Sequence, residues 1–443
     1  MEKNSFYIET YGCVSNKSDS YIISSVLSKS GYISSTIEEA EFVIINTCAV
    51  KQQTENKIKS RLSELYNSFK HETNKNFIIA GCLPHIEPKY LDIVKNLIPN
   101  FSAIIDLDNL NDIPFIFEEI KSGKRNLIYK SKGSIDKSKF LIDYPKGKNT
   151  GIVPISEGCL GYCTYCCVKN ARGSLNCYDP KNIIENVKHQ LKQGIKQIYL
   201  TSQDCSSYES ENVKLVDLIS KVVELDYRFF LRVGMLNPKF LIEEFEQLLS
   251  IFKLKKVYQF LHIPIQSGSD SILKRMNRYY NVAEITEKLK ILRKEFPLLS
   301  ISTDIICGFP GETEDDFTKT IGLIKWLNPE ILNISKFTPR PGTKAKNMEQ
   351  VNSKIIKKRS TILSNVFRES LSKINTNWKN WEGEVLVLHE GLKPNQAFGR
   401  NLAYKNVFID NYDDDFGSFV NVKIEKVEGF NLFGKIGSKN SFR

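Results

Sequence analysis

Short, unbroken apolar runs mark the start of the chain. EFVIIN (41–46) and NFIIAG (76–81) carry no polar alternation, the pattern of parallel strands buried on both faces. FYIETYG (6–12) is a third strand candidate. Between FYIETYG and EFVIIN, NKSDSYIISSVLSKSG reads as a helix, with Gly31 as its C-cap. After EFVIIN, the residues Ile58, Leu62, Leu65 and Phe69 fall on one helical face. Strand and helix alternate, which predicts a doubly wound parallel sheet over residues 1–125.

Over 145–340 the alternation repeats six times. The strand candidates are GIVPIS, KQIYLTS, RFFLRVG, VYQFLHIPI, LSISTDIICGF and EILNISKF. Asp179-Pro180 is a helix start, and Gly194 a helix end. Six units predict an open, partial TIM-type (βα)6 barrel, with function at the carboxyl ends of its strands. A Lys/Ser/Gly-rich stretch ahead of it, KSKGSIDKSKF to YPKGKNTG, reads as a linker. A basic helical connector follows over 341–374. From 375 to 443, strand-like runs are broken by Gly, Asn and Asp, which predicts a small OB-like all-β barrel. The fold class is α/β overall.

The 443 residues allow two to four domains, and the 41% hydrophobic and 26% charged content is that of a globular protein. No apolar run reaches membrane-spanning length, and the first residues lead directly into a strand with no leader pattern. The net charge of +11 fits a polyanionic partner such as RNA. Runs such as KLKK (253–256) and KIIKKR (354–359) equally fit solvated helix faces.

Ten cysteines change the picture. Cys159, Cys163 and Cys166 form a C-x3-C-x2-C run in SEGCLGYCTYCCVKNARG. Three close thiolates hold three corners of a 4Fe–4S cube and leave one iron open to a small molecule. A zinc site would pair the run with a second C-x2-C unit, and none lies nearby. A disulfide framework needs more cysteines in a shorter chain. Cys13, Cys48 and Cys82 each follow a predicted strand. In a parallel sheet they converge at one edge, giving a second three-thiolate site. Thiols that must stay reduced for iron fit a cytoplasmic location. Cys167, Cys177, Cys205 and Cys307 stand outside both sets.

Further candidates lie at the barrel strand ends. Gln203 and Asp204 in LTSQD can accept hydrogen bonds from an ammonium, although Ser202 or Asp204 can equally cap the following helix. Arg232 can pair with a carboxylate. His262, Gln266 and Ser267 in LHIPIQSGSD can hold ribose or substrate. Gly308 in GFPG lets backbone approach a ligand closely, or simply marks a strand–turn–helix junction with Glu312 or Thr313 in the first helical turn.

The Cys triplet, with Tyr165 before its last Cys, resembles the radical S-adenosylmethionine (SAM) superfamily. ETYGC, NTCAV, AGCLP, the SEGC-x3-C-x2-C loop, HIPIQSGSD and DIICGFPGETE together resemble, in order, the methylthiotransferase family of that superfamily. The C-terminal barrel resembles the RNA-binding TRAM domain. The resemblance implies a radical SAM cluster on Cys159, Cys163 and Cys166, and an auxiliary 4Fe–4S cluster on Cys13, Cys48 and Cys82. It implies SAM as methyl donor and radical source, tRNA as partner, a reducing electron donor such as a flavodoxin or ferredoxin, and a sulfur donor of unspecified kind. Lys169 to Gly173 (KNARG) resembles the K-x-A-R-G of the archaeal and eukaryotic threonylcarbamoyladenosine branch, so a tRNA methylthiotransferase of that specificity is expected. Lys169 and Arg172 are then candidates for the substrate carboxylate, and Arg400, Tyr404 and Lys405 for RNA. Other substrates in the family are isopentenyladenosine in tRNA and an aspartate of a ribosomal protein. An RNA-binding iron–sulfur sensor without turnover also fits the six cysteines. Cys167 and Cys205 depart from the family pattern.

Overall fold

The computed structural model describes residues 4–437 apart from 49, 73, 131 and 132. The N-terminal part is a six-stranded, all-parallel sheet. Its strands are β1 (Ser5–Thr10), β2 (Ile33–Ser34), β3 (Phe42–Thr47), β4 (Asn76–Gly81), β5 (Ala103–Ile105) and β6 (Leu127–Tyr129), in the spatial order β2-β1-β3-β4-β5-β6. Strands β2, β5 and β6 span two or three residues, too few to print an apolar run. Strand β6 carries the sheet past the expected boundary at 125. The unbroken runs have a direct cause. Val43, Ile45, Phe77 and Ile79 pack on one face with the helix Gln52–Phe69, while Phe42, Ile44 and Ile78 pack on the other with the helices Val14–Lys29 and Ile113–Lys121. Successive residues of one strand thus feed two separate cores.

The next six predicted strands all form. Thr150–Pro154, Gln197–Thr201 and Phe230–Val233 pair in parallel in that order, as do Phe260–His262, Ser300–Cys307 and Ile331–Lys336. A parallel bridge from Leu231 to Val257 joins the two halves into an open arc. Asp179 caps the helix Pro180–Lys192 by accepting from the Lys181 amide.

The residues 341–374 read as a connector do more than connect. The helix Ser353–Thr376 places Leu363 among Ile305, Cys307, Phe317 and Ile324, so it completes the apolar wall of the arc. Its register explains Gly308, whose φ is +75°. A Cβ there would lie 2.3 Å from Ile356 Cγ1. The glycine makes room for this helix.

Five strands close the C-terminal barrel in the order Glu382–Glu390, Gln396–Asn401, Asn406–Asp410, Asn431–Ile436, Phe419–Glu428. The pairing of the third with the fourth is parallel and the rest are antiparallel. This barrel docks on the arc through Leu386 and Leu388 against Phe230, Tyr258 and Phe260.

Candidate metal centres and their surroundings

Strands β1, β3 and β4 are neighbours and point the same way, so the residues after them share one edge of the sheet. Cys13, Cys48 and Cys82 stand there, the last two buried and Cys13 exposed. Gly12, at φ +120°, lets the chain pass over Cys48. A Cβ on it would lie 2.6 Å from Cys48 Cβ and 2.9 Å from its Sγ. Burial pushes the Cys82 thiol up to about 12, the charges of Cys48 and Cys13 add to this, and Arg172 opposes it.

The second triplet lies in the loop after the strand Thr150–Pro154. A Cβ on Gly161 would lie 3.3 Å from Cys159 Sγ and 3.8 Å from Cys163 Sγ, so both sulfurs face that glycine. The loop is pinned by Thr164, whose amide donates to Met276 O (3.1 Å) and whose hydroxyl donates to Arg275 O (2.9 Å). Arg278 Nη1 donates to Cys163 Sγ at 3.3 Å. Tyr165 meets Phe309 edge-on at 6.4 Å.

Among the described residues, no three His, Cys, Asp or Glu side chains converge on a single-ion position. The ligands of a cube bind separate irons and stand apart. Each site has an all-thiol, three-member donor set, with an arginine on one sulfur. That composition fits a cluster held by three cysteines.

The short helix Val168–Arg172 joins the two sites. Cys167, just before it, packs in the same apolar cluster as Cys48 and Cys82 and takes a hydrogen bond from Arg340. Arg172 ends the helix, and its side chain is nearly covered. Its Nε donates to Cys82 Sγ (3.2 Å), Nη1 to Glu157 Oε1 (2.6 Å) and Nη2 to Asp19 Oδ2 (2.8 Å). Lys137 closes the network, reaching Asp19 Oδ1 at 3.3 Å and Glu157 Oε2 at 2.7 Å. Burial opposes ionisation of Glu157, yet the charges of Lys137 and Arg172 hold its carboxyl well below the ordinary range. A cavity of about 480 Å³ opens alongside, lined by Gly81, His85, Asp106, Asn170 and Arg172.

The strand-end candidates divide. Asp204 is a local cap, accepting from the Ser206 amide (3.1 Å), the Ser207 hydroxyl (3.1 Å) and the Asn237 amide (3.3 Å), so the ammonium role gives way to the capping one. Gln203 accepts from the Gly158 amide (2.7 Å) and donates to Ser15 Oγ (3.3 Å), tying the cluster loop to the N-terminal domain. His262 Nε2 lies 2.9 Å from Asp304 Oδ2 on the adjacent strand. Burial pushes the Asp304 carboxyl up, but His262 outweighs it and holds the group low. Gln266, at φ +75°, donates its amide to Asp304 O (2.8 Å). Ser267 is fully buried and accepts from the Ser269 amide (3.2 Å), so it shapes the loop.

Four candidates lie where the C-terminal barrel meets the arc and the helix. The Arg232 guanidinium sits in an aromatic box, 5.0 Å from the Tyr199 ring, 5.1 Å from Phe260 and 5.3 Å from Tyr404. Tyr404 hydrogen-bonds Tyr199, and Arg400 donates to Tyr404 O (2.7 Å) while lying 3.8 Å over its ring. Lys405 is buried, donating to Asn375 Oδ1 at 3.0 Å. Arg400, Tyr404 and Lys405 therefore help dock the barrel onto the arc and the helix, with Arg400 and Tyr404 half-buried there and Lys405 buried. Arg172 is likewise engaged, by Cys82, Glu157 and Asp19. Lys169 remains near the cluster loop, its Nζ 3.6 Å over the Tyr162 ring. Sequence reasoning missed Asp19, Lys137, Glu157, Arg278 and Asp304. Arg278 directly before Tyr279 and Tyr280 was the visible signal.

Three family descriptions match in order: "Uncharacterized protein family UPF0004" over 5–100, "Radical SAM superfamily" over 153–324 and "TRAM domain" over 382–436. A Pyrococcus horikoshii protein named probable threonylcarbamoyladenosine tRNA methylthiotransferase is 36% identical over 97% of this chain and 99% of its own. The Drosophila melanogaster threonylcarbamoyladenosine tRNA methylthiotransferase is 32% identical over 97% of this chain and 77% of its own. Among solved structures, the radical SAM methyltransferase TsrM from Kitasatospora setae has a TM-score of 0.58 at 12% identity, over 77% of this chain and 74% of that one, a likeness of fold. Near-full-length identity above 30% and the three domain matches agree with the geometry of the cysteines: the chain belongs to the radical SAM methylthiotransferase family, together with the archaeal and eukaryotic threonylcarbamoyladenosine tRNA methylthiotransferases.

Proposed function

We propose that the chain is a tRNA methylthiotransferase that exchanges the C2–H of N6-threonylcarbamoyladenosine, next to the anticodon, for a methylthio group. The carrying observation is Arg172, which leaves the helix of one cysteine loop and donates to Cys82 of the other triplet. Making a carbon radical and supplying sulfur are separate tasks, and this residue packs the two thiol sites together.

Cys159, Cys163 and Cys166 would hold one 4Fe–4S cluster, and Cys13, Cys48 and Cys82 another. When bound, they supply the electron that cleaves SAM and the sulfur that is inserted. The chain's own residues set the conditions. Arg278 and Arg172 offset thiolate charge at Cys163 and Cys82. Tyr165 and Phe309 build an apolar wall beside the loop that excludes water. His262, held by Asp304, and Gln266 offer oriented polar groups at the strand ends. The threonylcarbamoyl group of this substrate carries a carboxylate. A pocket built for that carboxylate rejects an apolar isopentenyl tail. The reduced thiols support a cytosolic site of action, with a flavodoxin or ferredoxin as electron donor.

The test is nucleoside mass spectrometry of tRNA from cells with and without the gene. Loss of 2-methylthio-N6-threonylcarbamoyladenosine on deletion supports the reading. An unchanged nucleoside profile refutes it.

A further inference from the structure

Three large apolar side chains stand in the open beside the cluster loop. Leu160 is 61% exposed, Tyr162 71% and Tyr279 76%. Grouped exposed apolar surface of this kind marks a binding site. Two of the three lie between Cys159 and Cys163, and the third follows Arg278, which donates to Cys163. Asn277, held at φ +61°, joins them. Its Nδ2 donates to Tyr162 O and its Oδ1 accepts from the Tyr279 hydroxyl, both at 2.9 Å. Asn277 thereby holds the Tyr162 main chain and the Tyr279 hydroxyl, while both side chains stay largely exposed. Lys169 Nζ lies 3.6 Å over one face of Tyr162, which adds a cation at the same lip.

We propose that Tyr162 and Tyr279 form a stacking lip that takes an unpaired base flanking the modified nucleotide, with Lys169 on its phosphate. The proposal rests on the tRNA reading above and adds a subsite to it. Proteins read single-stranded RNA loops by splaying bases onto aromatic rings. Rings supply the π-face, Lys169 the charge for the backbone, and the position beside Cys163 sets the base next to the reacting one. A net charge of +11 suits the same partner. An apolar lip near a metal site could also receive a protein electron donor, and the test separates the two.

The experiment uses the iron-reconstituted full chain and an anticodon stem-loop RNA. 2-Aminopurine is placed in turn at each nucleotide flanking the modified adenosine. Binding should quench the fluorescence at one of the two positions. Tyr279→Ala and Tyr162→Ala should weaken binding by about tenfold and relieve the quench, while Tyr279→Trp retains both. Lys169→Gln should lower the salt slope by about one. Iron content and thermal midpoint, unchanged in the variants, control for folding. Alanine variants that bind and quench like wild type would overturn the lip, as would variants that slow only reduction by a flavodoxin. If wild type itself binds no stem-loop, the tRNA reading fails and the lip with it.

Discussion

Arg172 Nε lies 3.2 Å from Cys82 Sγ, while the two remaining guanidinium nitrogens bond Glu157 and Asp19. One side chain thus spans the N-terminal sheet, the barrel and a cysteine of the auxiliary site. Hydrogen bonds to the sulfurs and local charge set the potential of a bound cluster. Arg172→Lys keeps the charge but loses the planar fork. The variant should retain iron at both sites and still release 5′-deoxyadenosine, yet form less methylthio product. The auxiliary cluster's midpoint, read by EPR-monitored titration, should move negative. An unmoved midpoint would show that the Arg172–Cys82 contact does not tune the site.

Lys137 is 2% exposed and holds Asp19 and Glu157. Removing one member of a buried ionic network leaves charge uncompensated, at a cost of roughly 3–5 kcal/mol. Lys137→Met should therefore lower the first thermal transition markedly. Lys139→Met, in the same polar stretch, should not. Equal midpoints for the two variants would contradict the network's role in joining the domains.

Lys405 gives a pH dependence. Burial pulls its ammonium down from 10.5 to about 8, Arg293 adding and Glu330 opposing. In the unfolded chain the group keeps its ordinary value. Between pH 8 and 10.5 the unfolded state binds more protons, so this residue's penalty is full below 8 and fades as pH rises. The penalty is about 3 kcal/mol, less what the Asn375 hydrogen bond returns. Lys405→Met should be more stable than wild type at pH 7, and the gap should narrow by pH 10. Thermal midpoints across that range provide the check; a constant gap would contradict the assignment.

Much of this was legible in the chain because the signals are local. Buried parallel strands print unbroken apolar runs, and each of β1, β3 and β4 leads straight to its cysteine. The triplet in the barrel loop needs no tertiary information at all. What was not legible depends on packing between distant segments. Lys137 sits in a polar stretch that reads as a linker, and its carboxylate Asp19 lies 118 positions away. Arg232 ends a strand as a ligand-binding group would, but the docked barrel supplies Tyr404 to cover it. Arg400, Tyr404 and Lys405 show the charge and aromatic content of an RNA surface, and nothing in a strand pattern says which face the neighbouring domain occupies. Gly308 looks the same beside a ligand as beside Ile356.

The most direct measurement is a substrate competition. Reconstituted, reduced enzyme with SAM is given equal amounts of tRNA bearing N6-threonylcarbamoyladenosine and tRNA bearing isopentenyladenosine, and the digested nucleosides are weighed by mass spectrometry. The account predicts the 2-methylthio form of the first nucleoside alone, with 5′-deoxyadenosine released. Methylthiolation of the isopentenyl nucleoside to an equal or greater extent would contradict the substrate assignment, and release of neither product would contradict the enzyme.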